Sequence, residues 1–182
     1  MMAHTPGPPP RFSPLARILH WAMAAMILAA LFIGVAMVAS LAGYARLVAI
    51  HRPLGILILV FAVIRLVNRK LTTLPPFLKT MSPLERRAAT AGERLLYTLM
   101  IVQPLVGWGM LSAGGYPIVV IGSLHLPAIL PARPTLYAVL RETHTVLAFL
   151  LFATFLAHLS AVLFHTLVVR DGLIRRMASW RR

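Results

Sequence analysis

Four long apolar segments, at about residues 15–40, 47–67, 95–113 and 136–169, constrain this chain more than any other feature. An α-helix rises about 1.5 Å per residue, so each segment is long enough, or nearly so, to cross a hydrocarbon core about 30 Å thick. Hydrocarbon offers no hydrogen bonds to open backbone groups, so spans of this kind are helical. The expected fold is an all-α transmembrane four-helix bundle over residues 13–170. A loose proline-rich tail is expected at 1–12 and a basic tail at 171–182. A mean hydropathy of +0.83 with 12% charged residues excludes an ordinary soluble domain of this size.

The net charge of +14 is distributed unevenly. Of 18 Lys/Arg, all but Arg46, Arg52, Arg133 and Arg141 lie in the N-terminal segment, around the connection between the second and third spans, or in the C-terminal tail. Four spans put those regions on one side, and the positive-inside rule makes that side cytoplasmic. Both termini are therefore expected in the cytoplasm, with the basic residues serving topology rather than nucleic-acid binding. The first apolar stretch exceeds the 7–15 residues typical of a leader core and opens on His20-Trp21, so it reads as a retained span. There is no cysteine. That excludes disulfides, iron–sulfur ligation and covalent haem attachment, and leaves histidine or oxygen as metal ligands.

Local signals mark the helix starts. Ser13-Pro14 reads as an N-cap with proline in the first turn. Ser82-Pro83 repeats the device, with Glu85 at capping-box spacing. It is expected to open an interfacial stretch, ERRAATAGER, leading into the third span. The connection at 114–133 is apolar but broken by glycine and proline, and is expected to lie along the outer surface without crossing.

Five of the seven histidines lie in or at the ends of spans: His20, His51, His144, His158 and His165. His4 and His125 fall in the tail and a loop. Ionisable residues in spans usually face the bundle interior and serve a function. Fourteen residues separate His144 from His158, which places both on one helix face, about 21 Å apart along the axis. Alternating helix direction then matches His51 with His144 near the outer surface and His20 with His158 on the inner side. Two imidazoles at equal depth on different helices suit bis-axial ligation of haem between them. A histidine-lined proton or zinc path is the other chemistry open to such residues. Transport sites usually recruit carboxylates, and the only acids, Glu85, Glu93, Glu142 and Asp171, are not mid-membrane.

The motifs ARILHW at 16–21, IHRPLGILILVFAVIRLVNR at 50–69, QPLVGWGM at 103–110 and THTVLAFLLFATFLAHLSAVLFH at 143–165 resemble the bacterial cytochrome b561 family of small dihaem membrane proteins. The resemblance runs from about residue 15 to the end and is weakest at 114–133. It implies two non-covalent haem b groups with His20 and His158 on the inner iron and His51 and His144 on the outer one. It also implies a membrane quinone, ubiquinone, reacting on the inner side, residence in the bacterial inner membrane, and superoxide as an outer electron donor.

Further residues carry two open readings each. Gly55 and Gly107 either let a flat ring approach the backbone or serve ordinary helix packing. Arg52, Arg141 and Arg17 are candidate partners of haem propionates or plain interfacial arginines. His165, seven residues after His158, and Trp21 either line a quinone-headgroup pocket or anchor the interface. On the outer side Arg46, Arg52, Arg133 and Arg141 face Glu142 alone, a local charge of +3 that would steer a small anion such as superoxide. The expected function is electron transfer between a periplasmic donor and quinone, in an oxidoreductase resembling a superoxide:ubiquinone enzyme. The alternative is a cytochrome subunit linking quinol to a separate periplasmic redox protein or dehydrogenase.

Overall fold

The computed structural model describes residues 11–39 and 42–178. Of the expected tails at 1–12 and 171–182, residues 1–10 and 179–182 lie outside the described residues, and part of the second is helical, at Arg175–Ala178. Four helices are long and apolar enough to cross a membrane: α1 (Pro14–Ala39), α2 (Tyr44–Leu71), α3 (Pro83–Ala113) and α4 (Pro134–Phe164). A π-helical turn, His165–Val169, continues α4, and a short α5 (Arg175–Ala178) comes after it. The chain is a multi-pass four-helix membrane protein.

The helix starts obey the side-chain chemistry. Ser13 Oγ accepts from Ala16 N at 3.3 Å. Ser82 forms the full capping box: its Oγ accepts from Glu85 N at 3.3 Å, while Ser82 N donates to Glu85 Oε2 at 2.6 Å. The stretch ERRAATAGER, expected as an interfacial lead-in, is continuous with the span, so α3 is one helix of 31 residues. The bidentate Arg69–Glu93 pair, at 2.6 and 2.9 Å, ties this extension to the end of α2.

Close backbone approach joins α1 to α2, α2 to α3 and α3 to α4, whereas neither α1 nor α2 approaches α4 comparably. The tightest core, Met23, Ile27, Ile58, Ala62, Leu99, Met100 and Leu151, sits midway along the bundle. Most other apolar side chains on the spans are partly or fully exposed, as lipid-facing residues are.

Both described ends of the chain meet at one end of the bundle, where Phe12 N donates to Arg176 O at 3.3 Å and Trp21 Nε1 to Met177 O at 3.2 Å. The opposite end is covered by the 114–133 connection, which does not cross. It contains a two-stranded antiparallel hairpin, β1 (Val119–Ile121) and β2 (Leu124–His125), absent from the all-α expectation. Gly122 turns the hairpin at φ +55°, a conformation that favours glycine. Bonds that hold the connection down include Trp108 Nε1 to Pro127 O at 2.9 Å, Ile129 N to Ser112 Oγ at 3.2 Å, and Arg133 N to Ala113 O at 2.9 Å.

Candidate functional site

The helices bring the histidines together in two pairs. His20 of α1 faces His158 of α4 with ring centroids 6.3 Å apart and planes at 62°. His51 of α2 faces His144 of α4, also at 6.3 Å, with planes at 78°. Each pair reaches across helices that do not approach each other closely. An imidazole nitrogen lies about 1.15 Å from its ring centre and bonds a metal at about 2.0 Å, so two imidazoles on opposite sides of one ion have centroids about 6.3 Å apart. Both pairs have that spacing.

The ring orientations agree with it. Nδ1 of His51 and of His144 is buried without a hydrogen bond. Each ring lies near a backbone acceptor, Ala30 on α1 and Gln103 on α3 respectively. His20 Nδ1 accepts from Arg65 Nη2 at 3.2 Å. With these Nδ1 atoms turned toward protein, Nε2 is the nitrogen left for a metal, and the donor set suits haem iron.

Glycines seat the outer rings. A Cβ on Gly107 would stand 3.1 Å from His144 Cε1 and 3.4 Å from its Nδ1; one on Gly34 would stand 3.8 Å from His51 Cε1. Gly107 thus admits a flat ring, that of His144 itself, while a Cβ on Gly55 would meet no atom within 4 Å. Gln103 braces the same segment, its Nε2 donating to His144 O at 3.0 Å.

The core separates the two pairs. Ile27 stands seven residues after His20, Ile58 seven after His51, and Leu151 seven after His144 and seven before His158. Each therefore shares the face of its histidine about 10 Å along the helix. An apolar layer lies between the sites.

The arginines divide. Arg52 Nη1 donates to Pro117 O at 3.5 Å, tying α2 to the covering connection. Arg141 is exposed, as are Arg46 and Arg133, while Arg17 is buried one turn before His20. Arg65 was missed by sequence reasoning. Its Nε donates to Tyr97 OH at 3.1 Å, its Nη2 meets His20, and its buried Nη1 has no partner among the described residues.

At the end where Phe12 meets Arg176, His165 is 5% exposed and its Nδ1 lies 2.6 Å from Asp171 Oδ2. Asp171 also accepts from Thr80 Oγ1 at 3.0 Å and Leu173 N at 3.1 Å. Burial opposes ionisation of Asp171, but these bonds outweigh it and hold its carboxyl below the usual carboxylate range. Trp21 lies edge-on to His20, with centroids 5.3 Å apart.

The family model for prokaryotic cytochrome b561 matches residues 11–180. The chain is 28% identical over 172 residues to cytochrome b561 homolog 2 of Escherichia coli, covering 93% of this chain and 92% of that protein. It is 29% identical over 133 residues to a protein of Yersinia pestis named probable superoxide oxidase CybB, covering 73% and 75%. With four spans and paired histidines beneath that match, the chain belongs to the prokaryotic cytochrome b561 family, membrane electron-transfer proteins that bind haem b.

Proposed function

We propose that this chain is a dihaem b-type cytochrome of the bacterial inner membrane that carries electrons from a periplasmic donor, superoxide, to ubiquinone. The single observation that carries the reading is the pair of equal 6.3 Å imidazole separations at opposite ends of one bundle. His51 and His144 would hold the outer haem, His20 and His158 the inner one. Haem iron supplies one-electron exchange. Held by two imidazoles each, the haems would keep no position open to a further ligand, which suits electron transfer rather than ligand binding. Ile27, Ile58 and Leu151 exclude water between the two positions.

The clustering of Lys/Arg at the end where Phe12 meets Arg176 supports a cytoplasmic placement of that end. His165 and Trp21 would serve ubiquinone there. Asp171 holds Nδ1 of His165, leaving Nε2 for a quinone carbonyl and the pair as a proton source. Arg17 would neutralise a propionate on this side; Arg52 and Arg141 would do so on the other, and Gly55 would admit the porphyrin edge. The exposed Arg46, Arg133 and Arg141 support attraction of a small anion to the outer side, as does the likeness to a protein named probable superoxide oxidase. Two superoxide ions each lose one electron to become dioxygen, and one quinone takes both electrons and two protons to become quinol.

The test is a dithionite-reduced minus oxidised spectrum of the purified protein, followed by mixing with generated superoxide and a quinone acceptor. The reading expects low-spin b-type bands and rapid haem reduction. Reduction by quinol and reoxidation by a periplasmic protein, with no response to superoxide, would make the chain a cytochrome subunit instead. A haem-free protein would leave the histidine-lined transporter.

A further inference from the structure

On α2, Arg65 stands fourteen residues after His51, the spacing that separates His144 from His158 on α4. Arg65 therefore occupies the inner level of the same helix face that carries His51 at the outer level. Its guanidinium is held on both sides, by Tyr97 OH at 3.1 Å and by His20 Nδ1 at 3.2 Å, with Nη1 buried and unpartnered. Neither ion pair among the described residues involves it: Arg69 takes Glu93 and His165 takes Asp171.

A guanidinium inside a span is costly and stays protonated, so an uncompensated one marks a functional position. Structural anchoring alone would be served by a neutral donor to Tyr97. The two ends of the bundle also differ. At the inner level Arg65 donates directly to a ring of the histidine pair, that of His20. Arg52, beside His51, is drawn instead toward the carbonyl of Pro117.

We propose that Arg65 sets the potential of the inner haem above that of the outer one, by holding a positive charge behind the axial His20. The proposal rests on the dihaem reading. Reduction adds one negative charge to the site, and a fixed cation in a low-dielectric interior favours the reduced form. One electron passing from the outer haem to the inner one would then run downhill, the first oxidised and the second reduced, with no bond made or broken and no proton required. With iron on Nε2 the neutral His20 ring would carry its one N–H on Nδ1 and no longer accept from Arg65; the bond to Tyr97 would keep the guanidinium beside the ring.

The test is a spectroelectrochemical titration of haem-loaded parent, Arg65→Gln and Arg65→Lys. The inner component is identified as the one missing from His158→Ala. The proposal expects a downward shift of the inner midpoint alone in Arg65→Gln and an inner midpoint near the parent value in Arg65→Lys. Unmoved midpoints in Arg65→Gln with both haems retained would overturn it. So would loss of the inner haem from Arg65→Gln when Arg65→Lys keeps it, which would assign Arg65 to haem retention. A parent protein with fewer than two haems is a separate result: it overturns the dihaem reading before any potential is compared.

Discussion

Gly107 of α3 lies directly against the imidazole of His144 on α4, so closely that a single added methyl would stand 3.1 Å from Cε1. A contact that tight forces the ring or the helix to give by a few tenths of an ångström. Gly107→Ala is therefore expected to disturb the outer haem, seen as shifted low-spin EPR g-values or lower outer occupancy, while the inner signals stay unchanged. Gly92→Ala, on the same helix, adds a Cβ with nothing within 4 Å and is the matched control. Indistinguishable spectra for the two variants would mean that Gly107 does not seat the ring.

The histidine pairs were legible because helical periodicity and the bilayer together convert sequence spacing into face and depth. Arg65 obeys the same rule relative to His51, but a guanidinium does not ligate metal, and near the basic end of a span it is indistinguishable from a topology signal. The hairpin at Val119–Ile121 and Leu124–His125 was not legible. Its run is apolar without alternation, and only Gly122 marks the turn. The π-turn at His165–Val169 has no local signature either. It forms where Arg170 enters the left-handed region at φ +55° and Asp171 N returns to His165 O at 3.4 Å, contacts set by residues beyond the helix end.

The His165–Asp171 pair predicts an acid-sensitive closure at the end where Phe12 meets Arg176. Asp171 is held below its usual value of about 3.9, so its ionised form is favoured in the fold. Its contribution to stability is complete above that usual value and disappears as pH falls through the lowered one. Asp171→Asn should thus melt below the parent at pH 7, with the gap closing as pH falls below the usual carboxylate value. A gap independent of pH in detergent-solubilised protein would show that the carboxylate charge is not what holds this end.

The outer arginines predict a salt effect. If exposed Arg46 and Arg133 steer superoxide, its second-order reaction with the haem slows as ionic strength rises, because screening acts over about 8 Å at physiological salt. Replacing both with Gln should lower the rate, flatten its salt dependence and leave haem content unchanged. Stopped-flow kinetics with a haem assay give all three quantities. A rate insensitive to both salt and substitution would remove steering from the account.

The central claim, one haem held by each histidine pair, is tested most directly by pyridine haemochrome stoichiometry on the parent and the four single histidine-to-alanine variants. The parent should carry about two haems per chain, fully extractable by acid-acetone because no cysteine anchors them. His51→Ala and His144→Ala should each lose the same outer component, and His20→Ala and His158→Ala the same inner one, leaving about one haem in every case. A folded parent without haem, or His51→Ala and His158→Ala losing the same component, would contradict the account.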